Sequence, residues 1–465
     1  MSGPFGSSQW MYNASSGLYG FEITNSLRFN DNDSAYLTRT HSSGGDRQTW
    51  TWSGWVKRGN IASDMVLFST RNSSNDRVMF YIHSSGTLED LNLYLNIGGT
   101  STELKTNRVF RDSSAWYHMM VHVDTTQGTA SNRAKMYVNG EQITSFATGT
   151  YPTQNASTAV NLTNVHYIGV NDNGNGGFYD GYLADVNFID GAALTPSSFG
   201  ETKNDIWIPK DTSGLTFGTT GFRLEFKQTG TGTASSSTIG ADTSGNDNHW
   251  TSNSLVASDV VPDSPTNNFA TLNPLDNNGS EQWSEGNLKW YSTTSDVGIT
   301  RANFAVSSGK WYWEINLIGG SRLPSIGIAD QAQAITADQY YVGQASSSYG
   351  YFFNGKKYNN ASSSSYGSTY TTGDIISVAF NADNGQLTFY KNGTSQGVAY
   401  TVTSGKSYAP ALGKDQTSKD TTSIVNFGQD SSFAGNETAQ GNADANGIGD
   451  FYYAPPSGFL ALCTA

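Results

Sequence analysis

Apolar and polar residues alternate with a period of two along most of this chain. In "WTWSGWVKR", Trp50, Trp52, Gly54 and Val56 fall on one side and Thr51, Ser53, Trp55 and Lys57 on the other. That is the spacing of a β-strand with at least one buried face. "AWYHMMVHVD" divides likewise into Trp116, His118, Met120 and His122 against Tyr117, Met119, Val121 and Val123. "AKMYVNGEQI", "HYIGVNDNG" and "YLADVNFIDG" add strands closed by turn-forming Asn-Gly or Asp-Gly. From about 196 to 265 the alternation thins to one clear strand, "GFRLEFKQ", followed by "TGTGTASSSTIGADTSGNDNHW" and by Pro262 and Pro265. Gly, Ser and Pro at this density read as a connector. The alternation then resumes in "GKWYWEINLIGG", "YGYFFNGKKYNN" and "GDIISVAFNADNGQLTFYKNG". No stretch of ten residues offers a 3.6-residue apolar period. The pattern predicts an all-β chain in two parts, with helices few and short, one of them near "LTPSSFGE".

Two of the predicted hairpins share a phrase. "KMYVNG" at 135–140 and "TFYKNG" at 388–393 each set Asn-Gly between alternating strands. Asn-Gly supplies the two positive-φ residues of a type I′ turn. The dipeptide recurs along the chain, so the matching flanks carry the comparison. One strand–turn–strand unit is expected in each half.

Composition agrees with the strand reading and narrows the partners. The 465 residues exceed one core and suit about two to four domains. With 11 Trp, 25 Tyr and 23 Phe to bury, this is no disordered polymer. The formal net charge is −13 and no Lys/Arg run exceeds two residues, which argues against nucleic acid and against an anionic membrane surface. No apolar run reaches the ~18 residues of a membrane span. "MSGPFGSSQWMYNASS" lacks the basic start and apolar centre of a secretory signal. Cys463 is the single cysteine, so no intrachain disulfide forms and cysteine-ligated zinc is excluded.

The same phrases carry family resemblances. "SLRFNDNDSAYLTRT", "TWSGWVKRGN", "WYHMMVHVDTTQG", "KMYVNGEQI", "YIGVNDNG" and "YDGYLADVNFIDGAAL" resemble, in order and spacing, a laminin-G/pentraxin-type domain of the concanavalin A-like superfamily. "GKWYWEI", "SIGIA" and "GDIISVAFNADNGQLTFYKNG" resemble a SPRY domain. Both resemblances imply jelly-roll-type sandwiches of two antiparallel sheets, here in tandem. The expected organisation begins with an N-terminal segment at 1–23, a candidate virion anchor, and a laminin-G-like sandwich at 24–200. A Gly/Ser/Pro-containing connector with short strands follows at 201–265, then a SPRY-like sandwich with a C-terminal tail at 266–465. The junction phrases "DTSGNDNHWTSNSL" and "DSPTNNFATLNPL", with the closing "GIGDFYYAPPSGFLALCTA", resemble virion proteins of marine tailed bacteriophages, cyanophages especially.

Catalysis finds little footing. A glycosidase needs two carboxylates about 5–10 Å apart, and the glucanase pattern of the fold, Glu-x-Asp-x-x-Glu, is absent. Glu314 is the Glu in an obvious strand, and the SPRY resemblance implies a structural role for it. His118 and His122 share a strand face about 13 Å apart, too far to hold one metal ion. No catalytic residue is assigned. Calcium is the candidate cofactor, because "NDND" at 30–33 and "NDNGNGGFYD" at 171–180 gather hard oxygen ligands. Asp172 and Asp180 are its candidate ligands, although the same residue types are ordinary turn formers. Recognition falls to exposed aromatics, whose rings stack on a sugar while a hydroxyl bonds outward. Tyr341, Tyr349, Tyr366 and Tyr370 are the surface candidates, and the SPRY resemblance implies a loop face including Arg322 and Leu323 of "GGSRLPS".

These readings describe a non-enzymatic phage virion protein, a tail fibre, spike or head fibre that binds host-surface glycan or protein. Its other partners would be virion proteins, and its location the virion, after assembly in the host cytoplasm and release by lysis. One shallow sugar site reaches about millimolar affinity, so a homo-oligomer such as a trimer is expected to add about 10²–10⁴ through effective concentration. A capsid decoration or knob protein is the alternative, and a glycan hydrolase a more remote one.

Overall fold

Paired strands account for nearly all the regular structure. The computed structural model of the chain describes residues 18–61, 64–85, 88–279, 281–295 and 297–464. Its elements are β-strands and four one-turn 3₁₀ segments, among them Pro196–Ser198 within "LTPSSFGE". No helix among the described residues is long and apolar enough to cross a membrane. Two compact units divide between Thr266 and Asn267. Each is a sandwich of antiparallel sheets, the architecture the alternation predicts.

In the first unit one sheet runs Glu141–Gln142, Ala134–Val138, Trp116–Asp124, Thr49–Arg58, Gly181–Asp190, Ser26–Phe29, Val260–Val261, with Phe222–Leu224 added beside Gly181–Asp190. The other runs Phe146–Gly149, Thr100–Val109, Leu88–Ile97, Asp76–Ser85, Met65–Ser73, Val165–Ile168, Tyr36–Thr40, Thr251–Asn253. Trp50, Trp52, Val56, Met119, Val121 and Val123 face the second sheet and meet Phe68, Phe80 and Leu93 there. The back of the first sheet is also covered. Phe199 and Phe217 pack on Met120, Tyr137 and Ile189, and Trp207 lies beside Trp55 and Ala184.

Residues 201–265, a connector by composition, fold into this unit. Their strands are two to four residues long, too short for alternation to show, and side chains tie them down. Arg223 Nε donates to Asp185 Oδ1 at 2.9 Å. An Arg28 guanidinium nitrogen lies 3.4 Å from Asp259. Lys57 Nζ donates to Asp263 Oδ2 at 2.7 Å. The start of the described chain joins the same unit, Ile23 N donating to Thr266 Oγ1 at 3.1 Å. The anchor expected within 1–23 falls, as far as residue 17, outside the described residues.

In the second unit a seven-stranded sheet runs Leu272–Asn277, Gly298–Ala302, Tyr408–Lys414, Ser325–Asp330, Ser348–Tyr351, Lys356–Asn359, Ser362–Ser365. Its partner runs Gln282–Ser284, Lys289–Ser292, Thr421–Asn426, Lys310–Gly319, Ile375–Asn381, Gln386–Lys391, Thr394–Thr401. Trp290, Trp311, Trp313, Ile315 and Phe389 fill the space between them. The tail returns to this sheet, where Leu460 and Ala461 run parallel to Trp311 and Tyr312. Glu314, wholly buried, holds the tail. Its carboxylate accepts from the backbone N–H of Tyr452 and of Tyr453, each at 2.8 Å. The Tyr312 hydroxyl donates to it at 3.0 Å and Asn426 Nδ2 at 3.2 Å.

The two Asn-Gly hairpins are built alike. Asn139 and Gly140 have φ of 49° and 81°, and Asn392 and Gly393 have 48° and 74°, as a type I′ turn requires. Each Asn also clamps the neighbouring strand. Asn139 N donates to His118 O at 2.9 Å while Asn139 Oδ1 accepts from His118 N at 2.8 Å. Asn392 N and Oδ1 make the same pair of bonds with Ile375, both at 2.9 Å. A ring from a distant segment closes over each glycine. A Cβ on Gly140 would come within 2.5 Å of the Trp207 ring, and one on Gly393 within 2.9 Å of the Tyr453 ring.

Candidate functional site

One end of the second unit gathers charge and aromatic surface from three separate stretches. The loop after Lys310–Gly319 turns through Gly320, whose φ of 111° and approach to the Asp420 carbonyl leave no room for a side chain. Ser321 then binds Asp420 through N and Oγ, at 3.0 and 2.6 Å, and these bonds hold the Asp420 carboxyl below its ordinary range. Arg322 forms a two-pronged pair with Asp415, Nε to Oδ1 at 2.7 Å and Nη2 to Oδ2 at 2.5 Å. The Arg322 guanidinium also lies 4.4 Å from the centre of the Phe353 ring, within cation–π range. Both partners of the ion pair keep about a quarter of their side-chain surface exposed, 24% and 23%.

Tyr341 borders the same end. Its backbone crosses the strand Tyr408–Lys414 at Gly413, where a Cβ would come 3.0 Å from Tyr341 Cα. Its ring meets Phe352 edge-on at 5.3 Å and Tyr358 at 5.8 Å. Partial burial, then Tyr358 and Asp415, raise its hydroxyl pKa. Leu323 packs half-buried against the core beneath.

The other sequence candidates lie elsewhere. Tyr370 is buried, with its hydroxyl 2.6 Å from Pro324 O and 3.0 Å from Tyr351 O, so it props the Arg322 loop from below. Tyr349 is buried between Tyr400 and Tyr408 at ring distances of 5.2 and 5.9 Å. Tyr349 turns inward from the strand Ser348–Tyr351, and Tyr370 is carried inward by the loop between Ser362–Ser365 and Ile375–Asn381. Tyr366 sits apart from Arg322, half-buried, with its hydroxyl donating to Gly397 O and its ring 5.2 Å from Tyr351. Asp415, Asp420 and Phe353 complete the site and were not singled out in the sequence. The one readable signal for Asp415 is an acidic residue in a turn-rich loop after a strand.

Asp172 and Asp180 do not share a site. Asp172 is buried and faces Arg77 at 3.6 Å, and Asp180 Oδ1 accepts from Asn60 N at 3.0 Å. Among the described residues no group of three or more His, Cys, Asp and Glu side chains could hold a metal ion, so the calcium expectation gains no support in these loops. His118 is buried against Ser53, its Nε2 2.8 Å from Oγ, and burial presses its pKa down to about 3. Ser395 falls in a Gly-x-Ser-x-Gly spacing, Gly393 to Gly397, but on the hairpin strand Thr394–Thr401 rather than at a strand-to-helix elbow.

Residues 30–198 match the family model of the concanavalin A-like lectin/glucanases superfamily, and residues 310–430 match that of the SPRY domain. The chain carries a concanavalin A-like domain and a SPRY domain. Both are domain types that bind carbohydrate or protein. A stretch of 122 residues aligns with E3 ubiquitin-protein ligase RKP of Arabidopsis thaliana at 34% identity, over 25% of this chain and 9% of that protein. A Ran-binding proteins 9/10 homolog of Drosophila melanogaster aligns at 32%, over 29% of this chain and 14% of its own length. The solved SPRY domain of human HERC1 aligns at 16% identity and a TM-score of 0.30, over 33% of this chain and 96% of its own. The chain thus spans a small part of its curated relatives, and their activities concern whole proteins of other construction.

Proposed function

We propose that the chain is a non-enzymatic recognition protein whose SPRY unit holds its partner on the Arg322–Tyr341 face. The observation that supports this is the meeting of Arg322, Asp415, Phe353 and Tyr341 at one end of the sandwich. Asp415 already neutralises the guanidinium, so a bare anion gains little there. A peptide or glycan that sets an apolar group beside hydrogen-bonding groups suits the face better. The concanavalin A-like unit adds a second domain of a binding type to the same chain. The narrower reading, an oligomeric fibre or spike of a tailed phage, rests on the junction phrases. The relatives named above are plant and animal proteins and lend it no support.

Selection with the full chain from a random peptide library and from arrayed glycans tests the face. The expected result is an enriched ligand whose affinity falls at least about tenfold, or ~1.4 kcal/mol, in Arg322→Ala and Tyr341→Ala while circular dichroism is unchanged. A ligand indifferent to both changes, or no ligand from either collection, removes the reading. Mass spectrometry of purified particles of a phage encoding the chain tests the virion setting, and absence from the particles ends it.

A further inference from the structure

The seven-stranded sheet of the SPRY unit ends on a strand whose outer edge no described strand covers. Lys356–Asn359 turns back through Asn360 and Ala361, with φ of 53° and 56°, into Ser362–Ser365. The side chains on both faces of that last strand are exposed, so it stands clear of the core. No residue from Asn359 to Thr372 carries a charge. Sheets ordinarily guard such an edge with a charge, a proline or a bulge, and the unit's other terminal strands do so. Leu272–Asn277 contains Pro274 and Asp276 and pairs with a register shift. Thr394–Thr401 pairs with two such shifts, and Gln282–Ser284 lies between Glu281 and Glu285. Ser362–Ser365 has none of these devices, and its pairing with Lys356–Asn359 is unbroken.

The register fixes which backbone groups are free. Asn359 and Ser362 flank the two-residue turn and form a bonded pair. Bonded pairs alternate with unbonded ones, so Lys357 and Ser364 are the next. Tyr366 N keeps the phase by donating to Gly355 O at 3.0 Å. The N–H and C=O of Ser363 and Ser365 therefore point away from the sheet, and among the described residues none bonds to them.

This spacing matches itself. A two-fold axis at Ser364 sets Ser363 opposite the partner's Ser365, and Ser365 opposite the partner's Ser363. Those are the residues with free groups, and each such pair exchanges both of its backbone bonds. Ser364 then faces its own counterpart. A two-fold contact of this kind places like against like, so a charged edge would repel its copy. An edge made of serine sets only small hydroxyl side chains against one another.

We propose that the Ser362–Ser365 edge is a docking site for a second copy of this chain, the two seven-stranded sheets joining antiparallel across a two-fold axis at Ser364. The paired chains carry each domain twice, which raises avidity for a repeated ligand. The contact uses no residue of the Arg322 face and does not depend on it. Sedimentation velocity of the full chain over a concentration series tests the proposal. The sedimentation coefficient is expected to climb towards that of a dimer, more steeply at high salt, where the repulsion between chains of net charge −13 is screened. Ser363→Pro removes an outward N–H, and with it half of the bonds between the copies, while the hairpin keeps its own. The dimer dissociation constant should rise at least about tenfold. Cysteine cross-linking keeps the test sound if that variant fails to fold. Ser364→Cys meets its own copy at ~4.5 Å between Cα atoms, within disulfide reach. Ser362→Cys is offset from its copy by about 13 Å along the strand. Cys463 is buried and does not compete. Mild oxidation is expected to link Ser364→Cys into dimers and to leave Ser362→Cys unlinked. A chain that stays monomeric throughout, association indifferent to Ser363→Pro, or equal linkage of both cysteine variants overturns the proposal.

Discussion

Lys57 and Asp263 form an ion pair across 206 residues of sequence, with neither side chain reaching solvent. Trp116 Nε1 donates to the second carboxylate oxygen at 3.1 Å, and burial lowers the Lys57 pKa. The pair fastens the end of the first unit to the strand Thr49–Arg58. Removing one partner strands a buried charge, which ordinarily costs about 3–5 kcal/mol. Asp263→Ala is predicted to lower the urea-unfolding free energy of the first unit by about that amount. The apolar pair Lys57→Met with Asp263→Leu should recover most of it. A loss under ~1 kcal/mol in the single variant would show that the pair does not close the unit.

Acid is predicted to weaken the first unit through its histidines. Burial presses His118 to about 3 and His41 to about 4, and holds His166 well below its ordinary value. All three are neutral when folded and charged in the unfolded chain below about pH 6.5, so the unfolded state takes up more protons. Their contribution is complete above about 6.5 and falls as the pH drops, by at most about 1.4 kcal/mol per pH unit for each histidine. Histidine proton NMR of the folded chain checks this. Signals assigned to His41, His118 or His166 that titrate near 6.5 would contradict it.

Glu314 carries the opposite sign in the SPRY unit. Burial lifts its carboxyl to about 7, against the lowering effect of the Tyr453 and Tyr452 backbone donors. The folded state therefore holds this proton more tightly than the unfolded chain does. The contribution is full below the ordinary value of 4.5 and is lost as the pH rises through about 7. Hydrogen exchange at Tyr452 and Tyr453, corrected for the intrinsic rate, is expected to quicken as the solution passes from mildly acidic to mildly alkaline. Glu314→Gln should abolish that dependence, and a wild-type profile that stays flat would exclude the effect.

Gly140 and Gly393 cannot take a methyl group without moving a ring as well as straining a turn. Gly140→Ala and Gly393→Ala are predicted to cost more than the ~1 kcal/mol of a left-handed non-glycine residue alone. Gly98→Ala is the control, since its φ is also positive at 58° but nothing stands within 4 Å of an added Cβ. Equal thermal shifts for all three variants would show that Trp207 and Tyr453 add nothing.

The parts legible in the sequence are those where one residue type suffices. Trp50, Trp52 and Val56 alternate because a pleated strand has two sides, and Asn-Gly marks a type I′ turn because few pairs tolerate it. Residues 201–265 read as a connector with short strands, and their attachment to the first unit was not legible because it depends on Arg223, Asp259 and Asp263 finding partners far away in sequence. Tyr349 and Tyr370 mislead for the converse reason: a tyrosine beside serines and threonines looks exposed until the strand or loop that turns it inward is known. Arg322 and Tyr341 were found, whereas Asp415 and Phe353 required the fold.

The clamp made by Asn139 and Asn392 bears on how the protein ages. Asn-Gly is the bond most open to deamidation, because the glycine nitrogen can attack the asparagine side-chain carbonyl. In both hairpins that carbonyl is pinned to a strand N–H, and a ring covers the glycine. Asn446-Gly447 has no such cover and its asparagine is exposed. Peptide mapping after long storage should therefore find aspartate and isoaspartate at Asn446 well before Asn139 or Asn392. The two clamped hairpin turns would outlast the uncovered Asn-Gly in the tail of the second unit.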